Sequence, residues 1–148
     1  MMILEKQKKS TFSPRPQSFS GLMEMYEANY IRLRLLCGDI RTLPDESVSI
    51  LSAGGIPVQL KILERSSHTT ILLLTYLFDD ENKRPDLKVQ VYHDSRQADV
   101  ISRSCRFSQK NIRAWEKGAD SILLCRWRLN RFLFKWVNYL HRQGHHFK

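Results

Sequence analysis

The chain changes its hydrophobic period twice, and that change limits its architecture more than any other feature. From Leu22 to Cys37 apolar residues return on one helical face. From Ser47 to Ser102 they alternate with period two between turn signals, and from Ile122 to Arg142 the helical period comes back. A helix-period pattern does not settle as a strand, nor the reverse. The expected fold is therefore α+β: an N-terminal amphipathic helix, an antiparallel sheet of about five strands, and a long C-terminal helix packed on the sheet. Residues 20–148 are enough for one such domain. Residues 1–19 carry four basic residues and the stretch Pro14-Arg15-Pro16; without periodicity they read as a flexible basic tail that cannot repay its ordering entropy.

Local signals set the boundaries. In the first helix Leu22, Met25, Tyr26, Leu33 and Leu36 share a face, with Tyr30 and Cys37 alongside. Ser20 is the expected N-cap, Glu24 complements the dipole near the first turn, and Gly38 is the stop. Asn29 falls within the apolar stripe. A buried amide without partners costs about 1–3 kcal/mol, so it is expected to tie the helix to a strand or loop backbone, or else to line a pocket. The strands are expected at Ser47–Ala53, Ile56–Arg65, Thr69–Phe78, Leu87–His93 and Ala98–Ser102. Gly54-Gly55 is a tight-hairpin signal, and Pro57 belongs at a strand start or on an edge. Thr69–Phe78 is apolar on both parities, as a central strand is. Short connections imply an antiparallel meander. The stretch 106–118 reads as irregular. Asp120 or Ser121 then caps the last helix, which ends at Gly144, and the tail containing His141, His145 and His146 reads as a disordered basic end.

Charge is distributed unevenly. Residues 1–100 carry 13 Lys and Arg against 13 Asp and Glu, whereas residues 101–148 carry 11 against only Glu116 and Asp120. The whole excess of +9 therefore sits in the last third. A local field of that kind attracts anions. On the last helix Arg128, Arg131, Lys135 and Arg142 fall within about 60° of one another at 3.6 residues per turn. Opposite them Ile122, Cys125, Leu129, Phe132, Leu133, Trp136 and Leu140 form an apolar arc, with Trp127 and Phe134 on one shoulder. Cations flanked by two rings combine phosphate attraction with stacking surfaces; the plainer reading is a solvated face with both rings packed inside.

Other classes are disfavoured. No apolar run is longer than the four residues of Ile71–Leu74, far short of the roughly 20 residues that cross a bilayer. The first residues lack a signal-peptide pattern, which points to the cytoplasm. Cys37, Cys105 and Cys125 are odd in number and widely spaced, so all three are expected as reduced, half-buried thiols, with no metal site and no cofactor. There is no phosphate-binding glycine loop, no dinucleotide fingerprint and no nucleophile elbow.

Several segments together carry a family resemblance. Glu27-Ala28-Asn29-Tyr30-x-x-Leu33, His68-Thr69-Thr70, Val89-Gln90-Val91-Tyr92-His93-Asp94 with Ala98-Asp99-Val100, and Asn130-x-Phe132-Leu133-x-x-Trp136 resemble the YqiB-like family of gammaproteobacterial proteins over about residues 20–146. The family is a domain of unknown function, so the resemblance implies no activity, cofactor or catalytic residue, although its genes often neighbour those of nucleotide-cleaving hydrolases. Asp99 stands where the family usually has Glu, and Ser108–Arg128 lacks a loop typical of it.

Two function classes follow. The first is a non-catalytic binding or adaptor protein whose basic helix engages a polyanion (nucleic acid) or an acidic protein partner through Arg128, Arg131, Lys135, Arg142, Trp127 and Phe134; in a variant of it, the two rings anchor a partner or a homo-oligomer. The second is a small enzyme or ligand-binding domain for a phosphorylated metabolite. Its candidates are His68, His93, Asp94 and Asp99, with Glu27 more distant, since imidazoles with carboxylates are the inventory of general acid–base chemistry. The structural alternative is that His93 faces the apolar side of the sheet and Asp94 merely begins a turn.

Overall fold

The computed structural model describes residues 18–51, 55–77, 86–101 and 115–147, with the backbone alone over 115–121. Of the stretch 106–118 expected as irregular, 106–114 lies outside the described residues, as do the loop around 79–85, the tail 1–17, Gly54 and Cys105, while 115–118 is already helical. The α+β expectation is borne out: helix α1 (Phe19–Cys37), strands β1 (Glu46–Val48), β2 (Val58–Arg65), β3 (Thr69–Tyr76), β4 (Asp86–Tyr92) and β5 (Gln97–Val100), then helix α2 (Trp115–Arg142).

Helix α1 starts earlier than expected. Ser18 has extended backbone angles and its Oγ accepts the Gly21 N–H at 2.9 Å, so Ser18 is the cap and Ser20 already lies in the first turn. The helix ends at Gly38, whose φ of 77° and ψ of −142° suit only glycine. Its N–H satisfies the Arg34 carbonyl.

The five strands form one antiparallel sheet in chain order, β1-β2-β3-β4-β5, so β3 is central as its two-sided apolarity indicates. In register, Leu60 faces Leu74, Leu72 faces Val89 and Val91 faces Ala98. These residues, with Val58, Leu87 and Val100, are buried on one face. A bulge between Ile62 and Glu64 turns Leu63 outward. The tight turn expected at Gly54-Gly55 includes Gly54, which is outside the described residues; β1 itself ends at Val48. After Val48 only Ser49 still bonds to β2; Ile50 pairs instead with His146 near the C-terminus. Its backbone finds partners in a distant segment, which a local turn signal cannot foresee.

Both helices contribute to the core on the buried sheet face. Tyr26 contacts Arg126, Asn29 contacts Asn130 and Arg32 contacts Phe134, so α1 and α2 run parallel. Leu33, Leu36 and Cys37 of α1 join Leu133, Trp136, Val137 and Leu140 of α2 over the strands in one apolar cluster. Helix α2 begins at Trp115, with Asp120 and Ser121 inside it rather than at its cap.

The C-terminal residues are ordered, contrary to expectation. Phe147 is buried and its N–H reaches the Leu36 carbonyl, while the buried His145 ring bonds Ser49 Oγ through Nδ1 at 2.8 Å. Burying a phenyl ring and completing the backbone of Ile50 give this end a reason to fold back. The thiol expectation is also corrected: Cys37 is free and buried, its pKa pushed up to about 12 by burial, but Cys125 is disulfide-bonded. Spacing in the sequence says little about which sulfurs meet in space.

Candidate functional site

The strand ends bearing His68 and His93 do meet, because the His93 N–H donates to the His68 carbonyl at 2.9 Å. Their rings then part. His68 is exposed and its Nδ1 lies 2.6 Å from Asp94 Oδ2, with Arg41 Nη2 3.8 Å from the other carboxylate oxygen. His93 is buried, as the structural alternative held, and its Nε2 is 2.8 Å from Thr70 Oγ1. Burial, reinforced by Arg41, lowers its pKa. Asp94 sits in the turn 93–96, where Arg96 takes a positive φ of 59°. A solvated His–Asp–Arg row is heavily screened, and one of its two expected imidazoles is committed to the interior. Among the described residues, no three His, Cys, Asp or Glu side chains are grouped to hold a metal ion.

Asp99 does not join that group. It projects from β5 toward the helices, where Arg126 Nη1 donates to its Oδ2 at 2.9 Å and Asn130 Nδ2 to its Oδ1 at 3.1 Å. The network extends further. Asn130 Oδ1 accepts the Val100 N–H, Asn130 Nδ2 also reaches the Arg126 carbonyl, and the Asn130 carbonyl accepts from Asn29 Nδ2. Tyr26 Oη accepts from Arg126 at 3.5 Å. Asn29 thus ties α1 to a backbone as expected, though to a helix rather than to a strand or loop; its Oδ1 is buried without a partner.

Electrostatics in this network follow from burial. Burial raises the Asp99 pKa above the usual carboxylate value, against the pull of Arg126 and its hydrogen bonds. Burial disfavours the Arg126 charge, but Asp99 and Tyr26 outweigh it and leave the guanidinium pKa raised. Tyr26 and Tyr92 are also raised, by burial first and Asp99 second. The motif residues Asn29, Asp99 and Asn130 therefore fasten both helices to the edge strand. Arg126 goes unmarked in the sequence, and Tyr26 reads there only as part of an apolar face, because nothing local links either to Asp99.

The basic stripe is where the helical period places it. Arg128, Arg131, Lys135 and Arg142 are all exposed, and among the described residues none forms a salt bridge. Among the described residues, Asp99 is the acid paired with α2, and Arg126 engages it. The shoulder rings differ from expectation. Trp127 is only 7% exposed, and Phe134 is half-buried with the Arg32 guanidinium 5.4 Å from its ring centre. The indole is therefore not open for stacking, and the phenyl is partly covered, with Arg32 of α1 against its ring. Phe132, placed in the apolar arc by its position on the wheel, is instead exposed, as is Tyr139.

Fold and sites together define an α+β protein with two parallel helices on one sheet face, a buried amide–carboxylate–guanidinium fastening, and a cationic stripe on the last helix that forms no salt bridge among the described residues. Residues 32–146 match the family described as Protein of unknown function (DUF1249), and the chain belongs to that family. No curated protein and no solved structure matches it. Among the described residues no helix is long and apolar enough to cross a membrane.

Proposed function

We propose that this is a non-catalytic binding or adaptor protein whose C-terminal helix engages a polyanion, nucleic acid or an acidic protein, through Arg128, Arg131, Lys135 and Arg142. One observation carries the reading: four exposed cations share one helical face and none is paired among the described residues. An inert helix surface usually interleaves acids with its bases, yet no Asp or Glu follows Asp120. The YqiB-like motifs support a bacterial member of the family and add no chemistry to this assignment.

Salt dependence is the test. Anisotropy titrations with a labelled oligonucleotide should show affinity falling steeply between about 50 and about 300 mM salt, because bound counterions are released. Changing Arg128, Arg131 and Lys135 together to Glu should remove the binding. Absence of binding to nucleic acid and to acidic polypeptide at low salt overturns the reading.

A second reading keeps a phosphorylated metabolite at His68 and Asp94, favoured by their 2.6 Å contact and by Arg41 beside it. The inward turn of His93 counts against a two-imidazole mechanism there.

A further inference from the structure

The exposed rings of α2 lie among its cations. Phe132 and Tyr139 are each 46% exposed. At about 100° per residue they stand about 40° and 20° to one side of Arg128, with Lys135, Arg142 and Arg131 within about 60° on the other. Two rings and four cations therefore share a stripe about 100° wide. From Arg128 to Arg142 it runs about 21 Å, and the rings are about 10 Å apart along the axis.

Phe132 is also held in place. Its ring centre is 5.9 Å from that of Trp136, which is buried and in turn stands 5.3 Å from Tyr76. An aromatic row thus runs from the sheet out to the stripe, so the exposed ring loses little freedom when a ligand covers it. An acidic protein surface would use the cations and the apolar area of the rings, but not their planar faces. Unpaired bases use both, since each base offers a π-face to an aromatic side chain.

We propose that the stripe binds single-stranded nucleic acid, with Arg128, Arg131, Lys135 and Arg142 along the phosphates and Phe132 and Tyr139 stacking on bases. This rests on the polyanion reading above and names its ligand class. In a duplex the bases are already stacked on one another, so only the phosphate contacts remain.

The test uses the full chain, the paired substitution Phe132→Ala/Tyr139→Ala, the charge-reversed triple variant, and four probes. The probes are an oligothymidylate of about 20 nucleotides, a duplex of equal length, heparin, and polyglutamate. Thermal melts establish that both variants remain folded; if the paired variant does not, Tyr139→Ala alone takes its place. The wild type should bind the single strand about tenfold or more tightly than the duplex at equal salt, and removing the rings should weaken single-strand binding by about 10- to 100-fold. Heparin binding should stay unchanged on ring removal and disappear on charge reversal. Equal loss for heparin and oligonucleotide, or no loss for either, overturns stacking while leaving the polyanion reading in place. A preference for polyglutamate over the oligonucleotide also overturns it, in favour of an acidic protein partner. Failure to bind any probe at low salt overturns both.

Discussion

Asn130 Oδ1 accepts the backbone N–H of Val100 at 2.9 Å, so a side chain of the last helix completes the outer edge of the last strand. An edge strand otherwise presents unpaired donors, and a buried donor without a partner is costly. Asn130 is fully buried, and its other amide atoms fix Asp99 and the Arg126 carbonyl. Asn130→Ala should therefore destabilise the protein by about 2–3 kcal/mol, since it strands the Val100 donor and removes a partner of Asp99. For a chain of this size that corresponds to a melting temperature lower by roughly 6–10 °C. A loss under about 2 °C would mean that water replaces the amide.

Trp127 and Phe132 are expected to exchange the roles that a helical wheel assigns them. Trp127→Ala opens a cavity in a buried site and should cost about 3–5 kcal/mol in urea unfolding. Phe132→Ala removes a half-exposed ring and should cost about 1 kcal/mol or less. The reverse ranking would place the indole at the surface.

Acid should weaken the fold before the carboxylates titrate. Burial lowers the pKa of His145, and burial with Arg41 lowers that of His93. The unfolded chain, with ordinary histidines near pH 6.5, then takes up protons that the folded chain resists. Stability is complete above about pH 6.5 and declines as pH falls toward the lowered folded values. Asp99, whose pKa is raised, acts in the opposite sense at lower pH, because the folded state protonates first. Melting temperatures should fall between about pH 7.5 and 5.5, and His145→Asn should flatten the slope. A pH-independent melt across that interval would contradict buried neutral rings.

Phe147 anchors the C-terminal residues against Leu36. Phe147→Ala should cost about 3 kcal/mol through lost burial and should speed hydrogen exchange at the Ile50 amide, which bonds to the His146 carbonyl. Unchanged exchange at Ile50 would show that this bridge stands without the phenyl anchor.

Arg96 occupies a positive φ in the β4–β5 turn. Arg96→Gly should stabilise the protein by about 1 kcal/mol, because the strain of a left-handed L-residue exceeds the extra entropy glycine loses on folding. Chemical denaturation measures the gain, and no gain would mean that side-chain contacts of Arg96 offset the strain.

Much of the sheet was legible from residues in isolation. Leu87, Val89 and Val91 alternate with Lys88 and Gln90, and that pattern alone fixes which parity is buried. Asn29, an amide in an apolar stripe, announced a buried hydrogen bond but not its acceptor, since the Asn130 carbonyl lies 101 positions away. The histidines illustrate the same boundary. Strand order brings His68 beside His93, yet ring direction depends on Thr70 and Asp94, whose reach no spacing rule encodes.

What the sequence by itself determined is periodic and local: helix, then strands, then helix, the buried parity of each strand, and four cations on one flank of the last rod. Which rings accompany those cations was settled only in three dimensions. A wheel assumes one buried side, but α2 touches both the sheet and α1. Its buried arc therefore reaches about 180°, from Trp136 round to Trp127, and Phe132 is left at the uncovered margin. The second contact surface comes from a helix about 100 residues earlier in the chain, and a period of 3.6 residues carries no information about it.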